Sequence, residues 1–558
     1  MQAAVGVRRG PYLAALLLLS LFAWAPLLYP GYLQVHSGFL PLFNLADLAA
    51  SSQKLTWLPT IGATPGLLRG EGPAVYWLAL LLRPLAGDIG ALKGLFALSF
   101  MAIGLGIFAW ARHEFSPGLA DVEGDSAQVE DSTANSQSLL AARAGLLAAA
   151  VAMLWPPLLA AVYVRGALAE TLFMAVLAWA LWGVSGVKAH ATRARHVVST
   201  GLLVMALFWT QAGLAIWATA LLLAWALWPG APRRNRGVAA AAVAAGALLG
   251  GGLFALLHRG QGLEGAALDV AGHAARFYQF FSPAWGFGVS TSGWQDGLPL
   301  QLGFAALGLA ALTIVLGFGK ASRSSRVPWP VLRFAAIAAP LLILLTTTLA
   351  RPLWELDPLA AAVTYPWQLY ALAGPLLALL AGGALAVERR LAVLPLWAAT
   401  TALVVLSSYP YLAPRFTQVT PDAAAPAIFG ANQVTLLTSD AQPATPAAPP
   451  EISPSQVMTV TAAWQALQPI DFDYNVFVHG LDAAGNRVAQ WDGQPLRGDE
   501  PYPMTGWSVG EVVQGQYRLE VDPAAAPVRQ VLVGLYNWQS GERLLMNGDD
   551  SATVEVGP

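Results

Sequence analysis

Cysteine is absent from all 558 residues, which removes disulfides, thiolate metal sites and cysteine nucleophiles together. Histidine is scarce too: seven residues, none in an HExxH-type spacing, give imidazole metal binding no support. A carboxylate-held divalent ion stays open. Charge is the third shortage, since Asp, Glu, Lys and Arg make up 11% of the chain against 56% hydrophobic residues, with a mean hydropathy of +0.54. An average soluble protein carries about 25% charged residues, so a soluble globule is excluded. A net charge of −2 without a basic stripe also argues against nucleic acid, whose binding rests on phosphate neutralisation.

What the chain has instead is long apolar runs. Crossing a bilayer takes about 20 apolar residues, and runs of that order lie near 11–29, 88–112, 139–162, 167–185, 237–257, 302–319, 334–350, 367–386 and 391–409. Two weaker ones, 197–210 and 212–229, read as a short hairpin. The first run follows Arg8 and Arg9 and lacks a small-residue cleavage site, so it reads as a retained signal anchor. Basic clusters orient the rest, because short cytoplasmic loops are rich in Lys and Arg. They are Arg8 and Arg9; Lys188, Arg193 and Arg195; Arg233, Arg234 and Arg236; Lys320, Arg323, Arg326 and Arg333; and Arg389 and Arg390. All five share one side only if 73–86, interrupted by Arg83 and Pro84, is a partial helix at the outer face. About eleven transmembrane helices result. The outer face then receives 30–73, 163–170, 258–301, 351–366 and everything after 410, while the acidic stretch 113–138 falls inside and its polar part, 118–138, reads as disordered.

Composition changes after Pro410. The Pro/Ala-rich stretch 411–455 reads as an extended linker. From Gln456 short alternating, β-branched runs follow one another: QVMTVTAAW, DYNVFVHGLD, RVAQW, VVQGQYRLEV, RQVLVGLYNW and ATVEV. Such spacing predicts a β-sandwich over 456–558, outside the cytoplasm. The expected fold is therefore a polytopic α-helical membrane domain, 1–410, joined by the linker to an all-β sandwich. Trp491, Trp507, Tyr517, Tyr536 and Trp538 read first as packing in that sandwich, with carbohydrate binding as the alternative.

Three outer stretches carry a family resemblance: GYLQVHSGF with RGEGPAVYWL in the loop 31–77, YVRGALAE at 163–170, and FYQFFSPAWGFGVSTSGWQDGLPLQLG at 277–303 paired with ARPLWELDPLAAAVTYPWQLYAL at 350–372. They resemble the C-type glycosyltransferase superfamily (GT-C), protein mannosyltransferases and lipid A aminoarabinose transferases among its members. The C-terminal DYNVFVHGLD…VGLYNWQSGERL resembles the accessory β-sandwich attached to many such proteins. The resemblance implies transfer of a sugar from a polyprenyl-phosphate donor to a glycan, lipid or protein acceptor at the outer face of the plasma membrane. It implies an outer carboxylate as general base, with cations or a metal on the leaving phosphate. At the matching place in the first outer loop, an acid is expected where Ser37 stands, and a basic residue where Gln368 stands.

The residues themselves point to further groups. A base must lie within hydrogen-bond reach of the acceptor hydroxyl, and a departing phosphate needs positive charge beside it. The outer acids are Asp47, Glu71, Glu170, Glu264, Asp269, Asp296, Glu355 and Asp357. Glu170 opens a membrane helix five residues after Arg165, where charge is costly unless paired or functional; a structural ion pair and a catalytic role are both open. Glu71 sits between two glycines, which let its backbone approach a ligand closely, or is an ordinary turn acid. His36 is a candidate donor contact, Arg165 and Arg351 are candidate phosphate partners, and Trp285, Trp294 and Asp296 a candidate sugar platform. Two other readings stand beside transfer. One is a catalytically degenerate relative acting as a cell-envelope scaffold or lipid-handling partner, motivated by Ser37 and Gln368. The other is a transporter, which the lack of a visible repeat and of mid-span charges disfavours.

Overall fold

A computed structural model describes residues 10–59, 66–116, 127–259, 269–294, 296–319, 327–417, 427–429, 433–443, 456–508, 510–521, 527–545 and 550–555. Arg8, Arg9, Glu264, Lys320, Arg323, Arg326 and the side chain of Asp357 lie outside them. The helices are α1 (Gly10–Trp24), α2 (Leu40–Ala50), α3 (Gly66–Arg69), α4 (Ala74–Phe115), α5 (Ala127–Met153), α6 (Pro156–Ala160), α7 (Leu168–Ala189), α8 (Ala194–Thr210), α9 (Ala212–Leu227), α10 (Arg233–Leu257), α11 (Phe304–Gly319), α12 (Trp329–Leu345), α13 (Arg351–Trp354), α14 (Asp357–Ala360), α15 (Tyr370–Val387) and α16 (Leu394–Ser408). Strands are β1 (Tyr32–Leu33), β2 (Phe416–Thr417), β3 (Ala427–Phe429), β4 (Val434–Pro443), β5 (Gln456–Ala466), β6 (Asn475–Leu481), β7 (Arg487–Gly493), β8 (Leu496–Arg497), β9 (Glu500–Pro501), β10 (Val512–Val521), β11 (Gln530–Tyr536) and β12 (Ala552–Glu555). The chain divides into two compact units, 1–29 with 48–414, and 30–47 with 415–558.

The first unit is a helical membrane bundle. Among the described residues six helical segments are long and apolar enough to cross a bilayer, and five apolar helices are shorter. Helix length and composition alone thus account for six of the about eleven expected crossings. The spans through α5 and α15 are 94% buried inside the protein, whereas those through α1 and α10 are 22% and 28% buried, which is the profile of a packed centre with lipid-facing helices around it. Small residues let the central helices close up: a Cβ on Gly374 would meet Trp155 at 2.4 Å, and one on Gly382 the Ala144 carbonyl at 2.7 Å.

Several sequence expectations need correction. The partial helix 73–86 is there, but α4 continues past it after a break at Gly87 (φ 66°, ψ −179°), a left-handed conformation that Gly adopts at least cost. Arg83 and Asp88 pair at 2.5 Å across the break. The stretch expected to be disordered, 118–138, contains the start of α5 from Ala127. The run placed at 334–350 is helical from Trp329 to Leu345; Thr346 and Thr347 end it, their hydroxyls donating to the carbonyls of Ile343 and Leu344 at 2.7 and 2.6 Å. Competition of this kind from Thr side chains is what stops helices. The expected hairpin is α8–α9, turned by Gln211 alone (φ −160°, ψ 99°).

The second unit holds two four-stranded antiparallel sheets, ordered β10-β5-β4-β3 and β12-β11-β6-β7. Alternation buries one face of each, and Val460, Trp464, Tyr517, Val478, Val531 and Val533 from both sheets share a core. Trp464 Nε1 donates to the Tyr517 hydroxyl at 3.1 Å inside it. Six of these strands match the runs read from the sequence. The segment read as a linker, 411–455, instead supplies β2, β3 and β4.

Nor is 30–73 a single loop. Residues 30–47 belong to the strand-rich unit, where β1 pairs with β2 in the register Tyr32↔Thr417 and Leu33↔Phe416. The Phe39 N–H donates to Gln465 Oε1 at 3.2 Å, while Gln465 Nε2 donates to the Gly510 carbonyl at 3.0 Å. Gly510 (φ 82°) lies against this turn, where an added Cβ would sit 2.3 Å from the Val35 carbonyl oxygen.

Candidate active site

Two carboxylates meet at the N-terminus of α7, and the local backbone explains how. A π-helical turn over Ala161–Arg165 ends at Gly166 in the left-handed region (φ 65°). The Ala167 N–H then returns to the Ala161 carbonyl at 2.7 Å. This reversal lets Arg165, before the turn, reach Glu170, after it. Their side chains pair at 2.5 Å with only 11% and 8% exposed, and the guanidinium lies 4.5 Å from the centre of the Trp367 ring.

Glu71 arrives from the other side. The Gly72 N–H bonds the Thr210 carbonyl at 2.8 Å, and a Cβ on Gly72 would stand 2.1 Å from the Trp209 oxygen, so only glycine permits this approach. Gly213 plays the same part, wedged against the Ala362 and Leu68 carbonyls at 2.1 and 2.5 Å from a notional Cβ. Held there, the Glu71 carboxylate accepts from the Tyr76 hydroxyl at 2.8 Å and from the Ala169 N–H in the first turn of α7. It thereby satisfies one of the unpaired amides at a helix start that has no side-chain cap of its own. Burial pushes the Glu71 pKa up, Tyr76 and Ala169 oppose this, and the nearby Glu170 charge adds to the rise.

Gln368 completes the arrangement. Its Oε1 accepts from the Thr364 and Tyr365 N–H groups at 2.9 and 3.1 Å, which leaves the amide nitrogen to bond Glu170. A basic residue was expected at this position; the structure uses an amide because one side chain must both cap the 366–369 turn as acceptor and donate to a carboxylate, which no Lys or Arg can do.

Asp296 joins through hydroxyl and ring contacts. Trp367 Nε1 donates to Ser290 Oγ at 3.3 Å, and Ser290 in turn reaches Asp296 at 3.4 Å and His273 Nδ1 at 3.1 Å. Tyr365 stacks on Trp367 at 4.8 Å and packs edge-on against His273 at 5.0 Å. Burial raises the Asp296 pKa, against bonds from Leu298, Gln279 and Thr291, and lowers that of His273. Ser290, His273, Tyr76 and the stacking role of Trp367 were not visible as site residues in the sequence. The sequence marked this region only through TYPWQL, part of a stretch that carries the family resemblance.

The other predicted site residues have other neighbours. Arg351 is 63% exposed and pairs with Glu355 at 3.1 Å, with no bond to Glu71 or Glu170 among the described residues; its helix α13 turns both side chains outward to each other at i, i+4. Trp285 packs on Tyr411 at 4.8 Å. His36 and Ser37 lie in the turn of the strand-rich unit beside Gly510. Trp294 is already stacked inside the protein: Arg276 lies 4.1 Å from its ring centre, and Tyr278 stacks on the same ring. Among the described residues no group of three His, Asp or Glu side chains is placed to hold a metal ion, and Glu71 and Glu170 are both engaged by protein donors. They do not fit a divalent ion as they stand.

No family model matches the chain, and no curated protein does. Among solved structures, the apo-form oligosaccharyltransferase of Archaeoglobus fulgidus is similar at 13% identity and a TM-score of 0.40, over 73% of this chain and 56% of that one. The chain thus spans little more than half of that protein's length, and a likeness at this level carries no argument about fold or reaction.

Proposed function

We propose that this membrane protein transfers a sugar from a polyprenyl-phosphate donor to an acceptor hydroxyl at the outer face of the plasma membrane, with its strand-rich unit on that side. The observation that carries the reading is the pair Glu71 and Glu170 at one helix start, the second bonded to Arg165 and the first pushed toward protonation. Two carboxylates whose surroundings differ are how acid–base roles are assigned. A raised pKa brings Glu71 nearer to neutral pH, where a general base works best. Glu71 would take the acceptor's proton as the acceptor oxygen bonds the anomeric carbon and the carbon–phosphate oxygen bond breaks. The lipid phosphate leaves with the electron pair. Arg165, held between Glu170 and Trp367, is the cation that would meet the leaving phosphate. Transfer assayed with purified protein and polyprenyl-phosphate sugars tests it: Glu71→Gln should lower turnover about 10²–10⁴-fold, and unchanged turnover would defeat the proposal.

One observation favours a second reading, a catalytically degenerate relative serving cell-envelope assembly or lipid handling. Glu71 and Glu170 both already accept hydrogen bonds from protein donors, and Ser37 stands where the resemblance expects an acid. Transfer gained by Ser37→Asp would favour an enzyme lacking only its base, whereas activity in the unmodified chain removes this reading.

A further inference from the structure

Helix α7 carries Glu170 in its first turn and Lys188 in its last, about 27 Å apart along its axis. Lys188 is 6% exposed. Its ammonium donates to the Trp225 and Trp228 carbonyls at 2.8 and 3.3 Å and lies 3.2 Å from the Trp225 ring centre. Those carbonyls end α9, so the lysine caps a helix whose last acceptors lack partners. A cap needs no space beside it, yet a cavity of about 280 Å³ opens there. Lys188 and Ser185 line it together with His113 and Glu114 at the end of α4, the turn at Gly230 and the start of α12.

Donors are in surplus around that space. Two carbonyls use two of the three ammonium protons. Ser185 Oγ accepts from both Trp110 Nε1 and Trp225 Nε1 at 3.0 and 3.1 Å, and its own proton has no acceptor among the described residues. The Arg236 charge reaches Lys188 as well, with Glu114 the opposing acid. Unused donors and positive charge suit an acceptor-rich anion such as phosphate. The volume is just under the range of about 300–1,000 Å³ typical of pockets for whole small molecules, and it lies at the ends of membrane helices, where basic pockets take phospholipid headgroups.

We propose that this cavity binds the phosphate of an anionic phospholipid headgroup, with Lys188 and Ser185 as donors and Glu114 weakening the fit by repulsion. The site is separate from the carboxylate pair and does not depend on the transferase reading. To test it, delipidated full-length protein in detergent is titrated with phosphatidylglycerol, phosphatidylcholine or inorganic phosphate, while melting temperature and bound lipid are followed by thermal unfolding and native mass spectrometry. Phosphatidylglycerol should stabilise the wild type. Lys188→Met should need at least about tenfold more lipid, and Glu114→Gln about tenfold less; a merely destabilised fold cannot produce the second shift. Equal responses of wild type and Lys188→Met, or weaker binding by Glu114→Gln, overturn the site. A Lys188-dependent response to inorganic phosphate with none to lipid overturns the lipid source, and equal responses to both lipids overturn the anionic preference.

Discussion

At Arg165 and Glu170 each side chain neutralises the other inside the protein, so removing either leaves a buried charge alone. Glu170→Ala is expected to cost about 3–5 kcal/mol, read as a fall in melting temperature in detergent, and Glu170→Gln less, since the amide still bonds Arg165 through its oxygen. Glu71 behaves in the opposite sense. Burial places its folded pKa above the unfolded value, so its favourable share of stability is complete below the unfolded carboxylate range and is lost as pH rises through the folded value. Glu71→Gln should therefore gain melting temperature relative to the wild type as pH is raised from about 4 to 8; a constant offset across that window would contradict the raised pKa. The Arg165–Glu170 pair could be read from the chain because five residues separate the partners at a depth where charge demands an explanation. Trp367 could not, because it reaches the same point from a turn far away in sequence, and Tyr76, though five residues from Glu71, carries no charge that demands a partner.

At the scale of elements, alternation and helical hydrophobicity located most segments, while their ends depended on side chains that compete with the backbone. Thr346 and Thr347 moved the end of α12 five residues earlier than hydropathy placed it. Strands β3 and β4 were hidden by the Ala and Pro around them, since a strand whose inner face is lined by neighbours need not be strongly apolar by itself. Close approach is the other thing that hydropathy does not report. Gly213→Ala pushes a methyl group onto the Ala362 and Leu68 carbonyls, and we expect a loss of about 1–3 kcal/mol, measured as lowered thermal stability; full stability would mean that the segments bearing Glu71 and Gln368 are not held this tightly.

At the scale of the molecule, the two units were legible as classes, helical membrane bundle and strand-rich domain, but their membership was not. Residues 30–47 sit between apolar runs, and nothing in their composition marks a tie to strands near the other end of the chain. Gln465 fixes that tie with one amide and two backbone partners. Gln465→Ala leaves the Phe39 N–H and the Gly510 carbonyl unsatisfied, at about 1–3 kcal/mol for each buried group, and should make the 30–47 segment more open to limited proteolysis without altering the helical content seen by circular dichroism. The same tie has a consequence in time. Strand β1 leaves the ribosome before nearly all of the bundle, whereas β2 follows it, and at about 5–20 residues per second the interval is on the order of tens of seconds. Throughout that interval a nascent strand edge stays unpaired on a growing membrane protein, exposed to wrong partners and to whatever holds unfinished chains at the translocation site.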